Sequence, residues 1–283
     1  MSPQQTLYLF GFDNQFRELC DIYLNKKLPN KLLFSGKKGI GKCVFAYHFI
    51  NFILSQNEDN KYNLENFCIS PTNRSYKLIN VNLHPNFYLL KKKDDKKLIE
   101  ISQIRELNKF INNSSFNNHL KIVLIDDVET LSINASNSLL KLIEEPNNNV
   151  QYFLIYDNSK YILDTIRSRC IDFNFHLKEE NYSKIINFYF NKDRIYENIN
   201  SDFKYSYLTP LNFINLINFS VSEETNISEL TINNLIKIII DKNLYKKNHL
   251  IQNEIKILLE IFFYKKYKYS KSNKLYKMIN YFN

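Results

Sequence analysis

The sequence predicts an α/β fold: an open, mostly parallel sheet in the first part of the chain, followed by a part built of helices alone. Three observations point there. An apolar run from Lys31 to Ser35 passes through a glycine turn into an apolar helix. Short apolar strands and amphipathic helices then alternate as far as Phe175, the pattern of parallel strands joined by crossover helices. From about residue 178 onward only helical spacing remains.

The elements follow in order. Phe16, Cys20, Tyr23 and Leu24 give residues 13 to 27 one apolar helical face, ended before Pro29. Lys31 to Ser35 reads as a buried strand, and 42 to 55 as the helix behind the glycine turn. Residues 56 to 76 are polar and read as a loop or insertion, with extended segments expected at Leu78 to Val81 and Phe87 to Leu90. The lysine/aspartate run 91–97 is expected to turn a hairpin. Ile104, Leu107 and Ile111 put one face on a helix from Ile101 to Ile111. Ile122 to Ile125 is a continuous apolar strand that ends in Asp126 and Asp127. Ser132 can cap a helix running through Glu145 to Pro146. Val150 to Tyr156 and Ile171 to Phe175 supply two more strands. Pro210 interrupts the later helical pattern and marks the start of another unit.

Bulk properties narrow the class. A chain of 33.9 kDa is long for one domain, and 44% apolar with 15% aromatic residues can fill sizeable cores. Without a signal pattern or a run of 18 apolar residues, the expectation is a cytoplasmic protein with no membrane segment. Cys20, Cys43, Cys68 and Cys170 lie far apart with no CxxC pair, which speaks against a disulfide framework and a zinc site. The net charge of +9 permits an acidic partner such as nucleic acid. Only six of the 38 basic residues are arginine, so a place where arginine clusters is informative.

The chemistry sits in three places. Of four glycines in the chain, Gly36, Gly39 and Gly41 fall together between strand and helix, followed by Lys42. Glycine there frees backbone N–H groups to wrap a phosphate at a helix N-terminus, and the lysine reaches the β- and γ-phosphates. Cys43 departs from the pattern: a soft thiol stands where a Ser or Thr hydroxyl would hold Mg²⁺. The second place is Asp126-Asp127, at a strand end where open α/β sheets bind ligands. There the first carboxylate serves Mg²⁺ and the second orients water, although hydrolytic sites usually carry Glu in the second position. The third is Thr165-Ile-Arg167-Ser168-Arg169-Cys170, with two of the six arginines. A planar, bidentate guanidinium stabilises charge on a transferring phosphoryl group.

Taken together, these stretches resemble the delta prime subunits of bacterial DNA polymerase III clamp loaders, an AAA+ family. The matching residues run from Leu28-Pro-Asn30 through the glycine loop to His84-Pro85-Asn86-Phe87 and Gln103-Ile-Arg105-Glu-Leu107. Ile125-Asp126-Asp127, Ala135-Ser-Asn137-Ser-Leu139-Leu-Lys141, Glu144-Glu-Pro146 and the Ser168-Arg169-Cys170 group complete them. The last three groups are the most specific. The resemblance implies an AAA+ P-loop domain over 1–177, a small helical lid over 178–219 and a helical collar over 220–283 that joins subunits in a ring. It also implies a stator that turns over no ATP by itself and acts within the DNA polymerase III holoenzyme. Arg169 is then the finger offered to a neighbour's ATP, with Ser168 and Cys170 holding its short helix. Implied partners are the other loader subunits (gamma/tau and delta), the sliding clamp indirectly, and primed DNA, in a hetero-oligomer.

Departures from the family sharpen this. Many relatives carry a four-cysteine zinc module ahead of the His-Pro strand, where this chain keeps only Cys68, so zinc is not expected. The motor subunits place a γ-phosphate-sensing arginine in the lid, whereas 178 to 220 contain only Arg194. With Cys43 and Asp127 this favours stator over motor and leaves ATP/Mg²⁺ at Gly36, Gly39, Gly41, Lys42, Cys43, Asp126 and Asp127 at most a degenerate site. Two alternatives stand beside it: an ATP-hydrolysing gamma/tau-type motor subunit, and a nucleic-acid-binding AAA+ protein outside the replisome. The tail from Lys265 interleaves six lysines with tyrosines. It reads as a collar helix with a basic face, or as a single-strand-binding surface.

Overall fold

A computed structural model of the chain describes residues 2–113, 120–145, 149–190, 196–204, 208–222, 231–247 and 249–270. Two compact units divide between Lys178 and Glu179.

The first unit is built on five strands: β1 (Lys31–Gly36), β2 (Phe87–Leu90), β3 (Lys121–Ile125), β4 (Val150–Asp157) and β5 (Ile171–Asn174). Their order is β2-β3-β4-β1-β5, and every neighbouring pair is parallel. Side chains alternate across a strand, so a continuous apolar run can serve both faces. Leu32 and Phe34 of β1, Ile122 and Leu124 of β3, and Phe153 and Ile155 of β4 enter one core. Helices α1 (Asp13–Leu24) and α2 (Lys42–Leu54) close that face. Leu33, Val123, Ile125, Tyr152 and Leu154 enter the opposite core. Over them lie α4 (Ile101–Asn112) and α5 (Ile133–Glu144), with α3 (Arg74–Asn80) preceding them in the chain.

Phenylalanine dominates the first core. Phe16 of α1 is fully buried, edge-on to Phe45 at 5.3 Å and Phe49 at 6.0 Å of α2. Burying one such side chain contributes roughly 1.5–3 kcal/mol. The α5 start is as expected: the Ser132 hydroxyl accepts from the Ala135 N–H at 3.2 Å.

Three expectations fail. Leu78 to Val81 is no strand; its residues up to Asn80 lie in α3, whose N-terminus is held from a distance. Asn73 accepts from the Tyr76 N–H at 2.7 Å, and the Glu58 carboxylate accepts from the N–H groups of Arg74 (2.9 Å) and Ser75 (3.0 Å). The run 91–97 turns no hairpin, because β2 pairs in parallel with β3 and the chain must cross over through α4 to reach it. Nor is 56–76 merely a polar loop. Tyr62, Phe67 and Ile69 are buried in the first core, with Tyr62 5.2 Å from the Phe16 ring.

The second unit is helical: α7 (Glu179–Tyr189), α8 (Ser201–Lys204), α9 (Pro210–Ser222), α10 (Ile232–Asp241), α11 (Leu244–Lys247) and α12 (His249–Ser270). Pro210 opens α9, a position where its missing N–H costs nothing. Ile186, Phe203, Phe213, Leu216, Leu235, Ile239 and Leu258 share one core, and α9 runs through the 219/220 boundary expected between lid and collar. Arg194 and the tail from 271 lie outside the described residues. Among those described, no helix is long and apolar enough to cross a membrane.

Candidate functional site

Parallel pairing brings the ends of β1, β3 and β4 to one edge of the sheet, where the loop after β1 turns into α2. Gly36, Gly39 and Gly41 all have positive φ, at +148°, +86° and +108°. At Gly36 the requirement is double, because a Cβ would also lie 2.8 Å from the Phe175 carbonyl oxygen and 2.9 Å from Ile40 Cδ1.

Lys42 is buried, and its ammonium donates to the carbonyls of Gly36 and Lys37, both at 2.7 Å. The lysine thus bonds the loop that it would use to hold phosphate. Burial lowers its pKa, against the opposing charges of Asp157, Glu129 and Asp127. Cys43 follows in the first turn of α2. Burial, and then the charges of Asp126 and Asp127, push its thiol well above the usual range.

Asp126 and Asp127 lie just past β3. Burial and the neighbouring Asp127 raise the Asp126 pKa to about 6, while Lys38 pulls it down. Asp127 sits in the left-handed region at φ +55°, and its Oδ2 accepts from Lys38 Nζ at 2.5 Å. For Lys38, burial lowers the pKa, but the bond to Asp127 and the charges of Asp127, Asp126 and Glu129 outweigh it and leave the pKa raised.

Three members of this cluster were not singled out in the sequence. Lys38 looks like one more lysine of a lysine-rich chain. The Glu129 side chain is almost wholly buried, accepting from the Asp157 N–H at 3.3 Å and lying 3.5 Å from Lys160. Asp157 is buried at the end of β4 and accepts from the Ser159 hydroxyl at 2.8 Å and its N–H at 3.2 Å. An acidic residue ending the mostly apolar β4 is the one sequence signal for Asp157.

The arginine group has hydrogen-bond and ion-pair partners of its own. It follows the short helix α6 (Asp164–Arg167) and leads into the edge strand β5. Arg167 pairs with Asp172 at 3.2 Å, and Asp172 also takes a hydrogen bond from Ser35. The Ser168 hydroxyl donates to the Thr165 carbonyl at 3.3 Å. Cys170 packs against the second core, and burial lifts its thiol to about 11. Arg169, between them, is more than a third exposed. Its Nε lies 2.6 Å from Glu144 Oε1, and its Nη1 donates to the Thr165 carbonyl at 2.9 Å. Lys42 is thus buried on its own loop, whereas Arg169 is held at the surface by Glu144 and Thr165.

A family profile described as DNA polymerase III, delta subunit, matches residues 12–179. Among curated proteins, the chain is 30% identical over 139 residues to DNA polymerase III subunit delta' of Pseudomonas aeruginosa, covering 49% of this chain and 40% of that protein. It is 31% identical over 150 residues to subunit delta' of Bacillus subtilis, covering 51% and 41%. A shorter match, 35% over 81 residues, is to DNA polymerase III subunit gamma of Buchnera aphidicola, covering 29% and 22%. These matches span less than half the length of the relatives. With the profile matched across more than half of its length, the chain belongs to the DNA polymerase III delta' clamp-loader family.

Proposed function

We propose that this chain is the stator of a bacterial clamp loader: a delta prime subunit that helps place the sliding clamp on primed DNA and offers Arg169 to the ATP of a neighbouring subunit. The carrying observation is the contrast between its two arginine- and lysine-centred sites. Arg169 is held at the surface, where a second chain can reach it, while Lys42 is buried on its own loop carbonyls. The proposed partners are gamma/tau and delta subunits in a hetero-oligomer, reached through the helices from 178 onward that serve as lid and collar.

The donor set at the loop does not suit Mg²⁺. Burial and the nearby charges of Asp126 and Asp127 keep the Cys43 thiol protonated, and Asp127 already holds the Lys38 ammonium. Phosphate would have to draw Lys42 off two carbonyls in a neighbourhood containing Glu129, Asp127 and Asp157. Negligible turnover by the chain alone follows. The gamma-type motor reading has one observation in its favour, the presence of both Lys42 and Asp126.

Reconstitution with the other loader subunits tests the assignment. Arginine fingers contribute about 10³–10⁵ in rate at the site they serve in other phosphoryl-transfer systems. Lysine keeps the charge and loses the fork, so Arg169→Lys should assemble normally yet remove DNA- and clamp-stimulated hydrolysis at the adjoining site. Arg167→Lys, which retains a partner for Asp172, is the control. Parental hydrolysis by the Arg169→Lys ring refutes the finger. Turnover by the isolated chain that vanishes in Lys42→Ala favours the motor.

A further inference from the structure

We propose that Glu144 is a positioning residue for Arg169, fixing the direction in which its guanidinium meets a neighbouring subunit's phosphate; this rests on the finger reading above. Two elements converge on the arginine. Glu144 is the last residue of α5, and its Oε1 lies 2.6 Å from Arg169 Nε. Thr165 belongs to α6, and its carbonyl accepts from Arg169 Nη1 at 2.9 Å. A guanidinium carries five N–H groups in one plane, so two anchors on different nitrogens fix that plane while donors remain for an incoming anion.

The pair is a poor device for stability. Both side chains are more than a third exposed, at 39% and 49%, and such ion pairs add little to folding. Orientation is what it does supply. An arginine on a surface turn otherwise samples many rotamers, and a finger must be aligned when the transition state forms. The neighbouring pair shows the contrast: Arg167 is turned onto Asp172, only five residues along, in the strand β5 that follows it. Arg169 is instead tied to the end of a different helix, so any shift of α5 relative to α6 would re-aim it.

The test uses the reconstituted loader and reads the Arg169-dependent rate, that is, parental stimulated hydrolysis minus that of an Arg169→Ala loader. Glu144→Ala should lower that component on the order of tenfold, the usual scale for losing a residue that orients a functional group. The loss should fall in kcat, with KM for ATP unchanged. Glu144→Gln keeps an acceptor oxygen of the same reach and should recover most of the rate. The double variant Glu144→Ala/Arg169→Ala should match Arg169→Ala alone, since Glu144 acts only through Arg169. An impaired Arg169→Ala loader beside a parental Glu144→Ala loader overturns the proposal and spares the finger. So does a double variant slower than Arg169→Ala alone. If Arg169→Ala is itself parental, the finger reading fails and this inference falls with it. Gel filtration of each ring, and the isosteric Glu144→Gln, guard against a mere assembly defect.

Discussion

At the scale of single residues, burial decides what the charges in this chain do. Lys42 and Arg169 are both cations in family motifs, yet one is spent on two carbonyls and the other stands at the surface. Burial also makes the first unit sensitive to acid. His48 is fully buried on α2, with Nδ1 2.9 Å from the Tyr62 hydroxyl and Nε2 3.1 Å from the Thr6 carbonyl. Burial takes its pKa down to about 3, against the bond to Thr6, and takes His84 down to about 4. A histidine depressed in the folded state stays neutral while the unfolded chain takes up a proton below about 6.5. Stability is therefore complete above that value and is lost as pH falls towards the folded pKa values. Chemical denaturation followed by circular dichroism should show the parent losing about 2–4 kcal/mol between pH 7 and pH 5, with each histidine contributing about 2 kcal/mol and Asp126, whose raised pKa favours the folded state as pH falls, offsetting part of it. His48→Gln, which keeps polar atoms for Tyr62 and Thr6, should show a shallower slope. An unchanged slope would mean that His48 does not carry this sensitivity.

At the scale of elements, what was legible in the sequence was local. Four of the strands stand out as short, mostly apolar runs and β5 by its alternation of Ile171 and Phe173 with polar residues, while α5 stands out because Ser132 precedes its periodic residues by one position. Helix α3 carries one local signal, the N-cap Asn73, but the rest of its start depends on Glu58, sixteen residues before Arg74. The site was half legible for the same reason. Glycines, Lys42, Asp126 and Asp127 sit in motifs, whereas Lys38, Glu129 and Asp157 meet only after β1, β3 and β4 are side by side. The segment between α2 and α3 illustrates the point in energetic terms. Here the Ser55 hydroxyl accepts from the Tyr62 N–H at 3.1 Å, Asn73 Nδ2 donates to the Asn60 carbonyl at 2.8 Å, and Glu58 caps α3. Glu58→Ala should therefore destabilise the protein by about 1–2 kcal/mol, the scale of a lost cap and its buried partners. A chelator should leave the parental melting temperature unchanged, and elemental analysis should find no stoichiometric zinc. One zinc per chain would overturn this account of the segment.

At the scale of the whole molecule, the proposed collar role asks the second unit both to fold and to offer a surface to other subunits, and its apolar residues include buried and exposed positions. Leu235 and Ile239 of α10 are buried in a core shared with Phe213 and Leu216 of α9 and Leu258 of α12. Ile240, one residue further along α10, is 54% exposed, and Val221 at the end of α9 is 68% exposed. Exposed apolar side chains gathered in a proposed collar are the places to look for a partner. Because one core draws on α9, α10 and α12, cutting the chain near 219 would strip Leu235, Ile239 and Leu258 from the packing around Phe213. A truncation there confounds folding with assembly, and point substitution separates them. Leu235→Asp puts a charge into the core and should cost several kcal/mol, unfolding this unit with a loss of helical signal. Ile240→Asp and Val221→Asp place the charge at the surface and should leave circular dichroism and melting within about 0.5 kcal/mol of the parent. If the collar assignment is right, at least one of those two folded variants should fail to co-elute with the other loader subunits. Normal co-elution of both would place the assembly surface elsewhere, on residues other than these exposed positions of α9 and α10.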